Sequence, residues 1–415
     1  MLNRLKSLNV QLIFAAIFGV GIGAILNVKD VPQEASILYL SGLAGTVFVA
    51  LLKMVLIPLV FLSISVGVSS LKAHVNMGKI WRWTFGYFVF SMALAIATGM
   101  VLVHIFKPGV GADLSLFTSA MASHQSPTAD VGNFLHTFIV TLFQNPIAAM
   151  AEGKIFPVVI FAIFLGVALI HAPNVERLIT LLQEALEVVM KLVQFIMRVA
   201  PIGIMGLLIT LVATQNMALF QQLGLFMGVV IFGTLFHGFV NLPIFLKLTA
   251  NINLFSYWGD LQRPLLTAFS TSSSSATLPT SLDTVQNRMG VDKSVAGFVL
   301  PLGATVNMDG TALYEAVAAL FIANLVGMHL SLTHQLVICA MAMVAAVGAP
   351  GIPSAGMVTM IMVLQSVGLP VEAVAILLPI DRILDTVRTT VNVEGDIVGA
   401  LAVNKWIGAS EKSAA

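Results

Sequence analysis

The segment from Asp381 to Asp396 reads D-R-I-L-D-T-V-R-T-T-V-N-V-E-G-D and packs three aspartates, two arginines and a glutamate into one short run. The rest of the chain is charge-poor. Charged residues make up only 9% of it, and between Ser294 and Val371 just Asp309 and Glu315 occur. Charges entering so apolar a surrounding are costly unless they meet water, ions or one another. Read as a helix, Asp381, Asp385, Arg388 and Asn392 recur every three or four residues and share one face, with Asp396 a further turn on. A face carrying both signs can hold a zwitterion and a cation. The alternative is a helix end with its charges in solvent, against which the apolar Val387, Val391 and Val393 speak.

Working outward, the 415 residues are 58% hydrophobic and the mean hydropathy is +0.98, which excludes an ordinary soluble protein. The apolar runs are long and continuous where the strands of a barrel would alternate, so the expected class is an all-α membrane protein. Arg4 and Lys6 ahead of the first apolar run resemble a signal peptide, but no small-residue cleavage site follows and a retained first helix is expected. Lys and Arg total 20 against 19 Asp and Glu, a balance that implies no nucleic-acid partner. The one cysteine, Cys339, lies in an apolar run and reads as a small core residue.

Spans are expected near 9–27, 42–70, 82–106, 133–170, 185–215, 221–246, 293–324 and 371–405, with Pro58, Pro146, Pro157 and Pro201 at kinks or span boundaries. Two further hydrophobic segments are interrupted: 261–287 by T-S-S-S-S-A-T-L-P, and 336–367 by G-A-P-G-I-P-S-A-G. Non-helical backbone at membrane depth must be buried in protein or line a cavity. Each segment therefore reads as two short helices meeting at a tip, and each is followed by a long span. That is the pattern of inverted repeats with a site at the midplane. The expectation is eight transmembrane helices plus two re-entrant helical hairpins, at about 255–290 and 333–368; ten plain spans are the alternative. Arg4, Lys6, Lys72, Lys79 and Arg82 fall on one side, which the positive-inside bias makes cytoplasmic, and both termini are expected there.

Two upstream stretches supply partners for the charged face. In Ser272-Ser273-Ser274-Ser275-Ala276-Thr277-Leu278-Pro279 the proline reads as part of a first helical turn, whose free N–H groups and neighbouring hydroxyls suit a carboxylate. A flexible serine linker is the plainer reading. Asn307-Met308-Asp309-Gly310-Thr311 interrupts the span that follows. Carbonyls of Gly303 and Asn307, with the carboxylates of Asp309 and Asp396, form a hard oxygen set suited to a dehydrated cation. An ion that must leave again favours weak monovalent coordination. Asp309 as a structural acceptor is the alternative. Histidines do not cluster with Cys339, so a transition-metal site has no support.

The motifs S-S-S-S-A-T-L-P, N-M-D-G-T-A-L-Y, G-I-P-S-A-G and D-T-V-R-T-T-V-N-V-E-G-D resemble those of the dicarboxylate/amino acid:cation symporter family, which includes bacterial glutamate and archaeal aspartate transporters and the mammalian excitatory amino acid transporters. The resemblance runs over nearly the whole chain. It implies a secondary symporter of L-glutamate and L-aspartate, driven by sodium, protons or both, without an organic cofactor. It also implies a homotrimer in the cell membrane with an elevator-type fold. Scaffold parts would lie at about 1–75 and 130–215, and transport parts at about 76–129 and 216–415. By resemblance Arg388 clamps the substrate side-chain carboxylate and Asp385 accepts from its amino group. Ser273, Ser274, Thr311, Thr389 and Asn392 match further substrate contacts, with backbone from Val347 to Gly351 closing over the site. Gly303, Asn307, Asn392 and Asp396 match one sodium site, and Thr305 with Ala346, Val347 and Ala349 a second. Asp309 and Asn307 belong to a third, which Ser91 would complete; Phe88 and Met92 stand where the archaeal pattern has hydroxyls. Glu315, one turn beyond Thr311, is a proton-carrier candidate, since proton-coupled mammalian members have glutamate there and archaeal sodium-driven members glutamine.

Competing readings lack their own signatures. Asp309 and Asp385 do not sit in the motif pair of an intramembrane aspartyl protease, and Gly351 to Gly356 has the wrong spacing for a nucleophilic serine. An anion channel would not need Arg388 and Asp385 paired. A C4-dicarboxylate or a neutral amino acid is the alternative substrate.

Overall fold

In hydrocarbon each peptide N–H and C=O of a long apolar run must be bonded within its own segment, which leaves helix as the available form. The computed structural model describes residues 8–28, 34–69, 78–111, 140, 143–214, 217–348 and 355–412, and over them the protein is all-α. α1 spans Leu8–Val28, α2 Glu34–Ser69, α3 Gly78–Phe106, α4 Pro146–Ala151, α5 Ile155–His171 and α6 Glu176–Thr214. α7, Met217–Phe236, passes through a π-helical turn at His237–Asn241 into α8, Leu242–Ala250. α9 is Leu254–Thr271, α10 Ser274–Asn287, α11 Lys293–Val306, α12 Asp309–Leu325, α13 Leu332–Gly348 and α14 Ala355–Ser366. A 3₁₀ turn at Val371–Ala373 leads into α15, Val374–Lys412. Among the described residues four stretches are long and apolar enough to cross a membrane: Glu34–Ser69, Gly78–Phe106, Glu176–Thr214 and Ala218–Ala250. The protein is a multi-pass membrane protein.

Several expected spans change shape in detail. The run read at 133–170 is, where described, two helices, with Asn145 capping the first through bonds from Ile147 and Ala148 N–H. Gly153, at φ 71°, breaks the chain before the second. Pro146 starts a helix, whereas Pro58 and Pro201 lie inside α2 and α6. The serine-rich interruption is confined to Ser272 and Ser273. Ser272 has φ 48° and ends α9, and Ser273 caps α10 by accepting from Ala276 N–H at 3.2 Å. Pro279 therefore sits inside α10, beyond the first turn where the sequence reading put it. The 293–324 span is broken at Asn307 and Met308, as the N-M-D-G-T stretch requires.

Two groups of helices can be followed, joined where α13, α14 and α15 touch α2, α5 and α6. α1, α2, α5 and α6 lie against one another, and their approach is close because glycines face bulk: a Cβ at Gly203 would collide with the Phe48 side chain, and one at Gly206 with the Ser41 carbonyl. The second group is built around α12, whose residues from Asp309 to Ala323 are all buried. A helix apolar nearly all round must be surrounded by protein, and α3, α7, α13, α14 and α15 surround it. Phe226 of α7 stacks on Phe321 at 4.5 Å between centroids. Lys53 of α2 reaches Glu372 at 3.0 Å, tying the groups together before α15 begins.

Candidate functional site

The helical period carries Asp381, Asp385, Arg388 and Asn392 to one side of their helix, and that side is turned into the bundle. Arg388 is fully buried, Asp381 is 2% exposed and Asp385 5%. Burial of these ions requires pairing. Arg388 Nη2 donates to Asp381 Oδ1 at 2.7 Å and to Asp385 Oδ1 at 3.1 Å, while Arg382 Nη1 donates to Asp385 Oδ2 at 3.1 Å. The guanidinium carbon lies 3.9 Å from the Tyr314 ring centroid. Nε and Nη1 of Arg388 have no hydrogen-bond partner among the described residues. Gly356 of α14 comes down over this group: a Cβ there would stand 3.5 Å from Nη1 and 3.1 Å from Thr311 Cγ2.

One turn along, Asn392 ties α15 to the break before α12. Its Oδ1 accepts from Gly310 N–H at 2.7 Å and from Thr311 N–H at 3.4 Å, and its Nδ2 donates to Thr311 Oγ1 at 3.1 Å. Gly310 is needed here, because a Cβ would press on the Arg388 backbone. Thr389, Ser273 and Ser274 are buried as well, and Ser272 Oγ lies 3.2 Å from Thr386 Oγ1, bringing the α9–α10 junction onto α15.

The oxygen-rich cluster expected around the break also assembles. Asn307 Nδ2 donates to Asp396 Oδ1 at 3.2 Å, and Ser91 Oγ lies 2.9 Å from Asp309 Oδ1 and 3.1 Å from Asn307 Oδ1. Gly303 and Gly395 make the room: a Cβ on the first would overlap the Asp396 carboxylate, and one on the second would stand 2.6 Å from Asp309 Oδ2. Phe88 and Met92 are buried in the core beside Ser91. Tyr87 donates its hydroxyl to the Gly395 carbonyl at 2.9 Å. Asp309 Oδ2 faces His237 Nε2 at 3.2 Å. Among the described residues no three His, Cys, Asp or Glu side chains converge on a metal-ion site; the cluster offers the two carboxylates of Asp309 and Asp396 beside the amide of Asn307 and the hydroxyl of Ser91.

The other expected residues that are described lie on α11 (Thr305), α12 (Glu315) and α13 (Ala346 and Val347). Thr305 is exposed and its hydroxyl donates to Leu302 O within its own helix at 3.1 Å. Ala346 is buried and Val347 half-buried on α13, while Ala349 and Gly351 lie outside the described residues. Glu315 is fully buried and accepts from Thr359 Oγ1 of α14 at 2.5 Å; its Oε2 has no partner among the described residues.

With this arrangement in view, the match to a known family is decisive: the model of the family described as "Sodium:dicarboxylate symporter family" covers residues 8–406. The chain belongs to that family. As a member of the sodium:dicarboxylate symporter family it is a transporter and not an enzyme. It is 32% identical over 413 residues to the "Proton/glutamate-aspartate symporter" of Escherichia coli (strain K12), covering 98% of this chain and 94% of that protein. It is 33% identical over 403 residues to the "Proton/sodium-glutamate symport protein" of Bacillus caldotenax, covering 96% and 94%. It is also 34% identical over 397 residues to the "Neutral amino acid transporter B(0)" of Bos taurus, covering 88% and 74%.

Two features of this symporter escaped sequence reasoning. His237 sits in an apolar run and carries no motif, yet it meets Asp309; the signal available was its spacing of four residues from Asn241, just ahead of Pro243. Glu394 was read as part of the charged segment without a role. It is buried and accepts from the Tyr257 hydroxyl at 2.9 Å, a contact between residues 137 apart that no local pattern reveals.

Proposed function

We propose that this symporter carries L-glutamate and L-aspartate into the cell, coupled to a cation gradient. The observation that carries the reading is Arg388: a fully buried guanidinium with two nitrogens that have no partner among the described residues. A buried donor left unpaired costs about 1–3 kcal/mol, more when charged, so a ligand that fills it binds favourably. A guanidinium offers its donors in a plane matched to a carboxylate. The second carboxylate and the amino group of the substrate fall to the α9–α10 junction at Ser273 and Ser274, to Thr311 and Asn392, and to Asp385, with Thr389 alongside. The printed names of the Escherichia coli and Bacillus relatives agree with an acidic amino acid.

Cations on this reading bind at Gly303, Asn307, Asn392 and Asp396, at Asp309 with Ser91, and at Thr305 with the backbone of Ala346, Val347 and Ala349. Glu315 carries a proton. The chain assembles as a homotrimer with both termini in the cytoplasm, eight transmembrane helices and two re-entrant hairpins. The α1, α2, α5 and α6 group is the scaffold, and the α12-centred group moves as an elevator. The test is uptake of labelled glutamate and aspartate into proteoliposomes under separately imposed sodium and proton gradients, with proton flux followed in the lumen. Uptake under neither gradient removes the reading.

A C4-dicarboxylate is the second reading, favoured by one observation: both oxygens of Asp385 are already engaged by arginines, which competes with an amino group. Succinate competing as well as aspartate would establish it.

A further inference from the structure

His237 is a fully buried residue to which the transport reading gives no role. It opens the π-helical turn, in which Leu242 N–H bonds back to His237 O. Pro243 lies directly beyond and cannot donate to the carbonyl a turn before it, so the helix widens there instead of kinking. The widened turn projects both His237 and Asn241 toward α3 and α12. Its position is fixed from the other side: a Cβ on Gly238 would stand 2.8 Å from Glu394 Oε2, and Glu394 is itself anchored by Tyr257.

The hydrogen bonds around His237 determine which ring nitrogen bears the proton. Thr98 has one hydroxyl hydrogen, and it is donated to Leu94 O at 2.8 Å. Its contact with Asn241 Nδ2 at 2.9 Å is therefore one in which Thr98 accepts, which orients the amide. The second amide hydrogen points at His237 Nδ1, 3.2 Å away. Nδ1 accepts, so the proton sits on Nε2 and is donated to Asp309 Oδ2 at 3.2 Å. The other oxygen of Asp309 meets Ser91. The carboxylate thus meets the Nε2–H of His237, set by a relay begun at Thr98, and the Ser91 hydroxyl, whose one hydrogen also faces Asn307 Oδ1 and Phe88 O.

We infer that His237 is a positioning residue for the cation site at Asp309, holding the carboxylate in the orientation that presents it to the coupled ion beside Asn307 and Asp396. The inference rests on the cation-coupled reading above and adds to it a group from the π-helical turn. An outer partner that fixes a ligating group typically changes ion affinity by about 10–100-fold when removed. The donor, not the ring, is what the relay supplies, and glutamine can place an amide N–H near the position of Nε2.

The test compares the intact protein with His237→Ala, His237→Gln and Asn241→Leu in proteoliposomes. Uptake of labelled aspartate is measured against external sodium at fixed pH and saturating amino acid, then against aspartate at saturating sodium. His237→Ala is expected to raise the half-maximal sodium concentration by about tenfold or more, while half-saturation by aspartate at high sodium stays with the parent. Asn241→Leu should move sodium dependence in the same direction by less, and His237→Gln should stay near the parent. Should His237→Ala fail to reach the membrane, Asn241→Leu decides, since it keeps the imidazole and removes only the amide that orients it. A sodium dependence equal to the parent's in His237→Ala, or a shift in His237→Gln as large as in His237→Ala, overturns the inference. So does parent uptake that is indifferent to sodium. Absence of any aspartate or glutamate uptake by the parent would instead strike the functional reading on which the inference stands.

Discussion

Arg388 of α15 lies over the ring of Tyr314 of α12, with the guanidinium carbon 3.9 Å from the ring centroid. The ring face attracts the cation without using any of its N–H groups. Two aspartates take Nη2 and the ring takes the flat face, and Nε and Nη1 have no hydrogen-bond partner among the described residues. The Tyr314 hydroxyl donates to Met357 Sδ at 3.2 Å, which fastens α14 over the same spot.

Arg388→Ala is expected to abolish uptake of glutamate and aspartate. It also leaves Asp381 and Asp385 buried with less compensation, at a cost of about 3–5 kcal/mol for a broken buried pair. Uptake should be read beside the melting temperature in detergent, and Arg388→Cys should be screened for uptake of neutral amino acids. Retention of parent-like acidic amino acid uptake by Arg388→Ala would remove Arg388 from the site.

Tyr314→Phe keeps the ring and loses only the bond to Met357, so glutamate half-saturation should stay close to the parent. Tyr314→Leu removes the π face and should weaken it by the loss of about 0.5–2 kcal/mol. Equal effects of the two substitutions in a concentration series of glutamate uptake would show that the ring face is not what supports Arg388.

Gly395→Ala places a Cβ 2.6 Å from Asp309 Oδ2, and Gly303→Ala overlaps the Asp396 carboxylate. Neither neighbour is the free end of a flexible chain, so each carboxylate must turn. Both variants should require more cation for half-maximal uptake, and isothermal titration of purified protein with sodium should show weaker binding. Unaltered sodium binding in both would argue that these carboxylates do not hold the ion.

Glu315→Gln retains an acceptor for the Thr359 hydroxyl and removes the group that can carry a proton. Proton entry accompanying glutamate uptake, followed with a pH-sensitive dye inside the vesicles, should disappear. Persistence of that flux in an otherwise active variant would exclude Glu315 as its carrier.

Gly203→Val should act on stability alone. Its side chain would drive into Phe48, and overpacking of a close helix contact costs about 1–3 kcal/mol. Thermal unfolding in detergent should shift downward, while the sodium concentration for half-maximal uptake of the folded fraction should match the parent.

The class of the protein and the location of its charged face were legible in the chain itself. Hydropathy over long runs is a local property, and so is the helical period that aligned Asp381, Asp385, Arg388 and Asn392. The break at Asn307 and Met308 was legible for the same reason, because polar and glycine residues interrupt an apolar run wherever they stand. The serine run announced a junction but not its exact register: Ser273 proved to be the cap and Pro279 an interior residue. What only the tertiary structure decided is which faces meet. Arg388 finds Tyr314, and Asp309 finds His237 across a separation of 72 residues. Such pairings depend on how closely two helices approach, set here by Gly303, Gly395, Gly310 and Gly238. They depend also on the widening of one turn before Pro243. Periodicity says which residues share a side of a helix; the packing of helices distant in the chain determines what that side confronts.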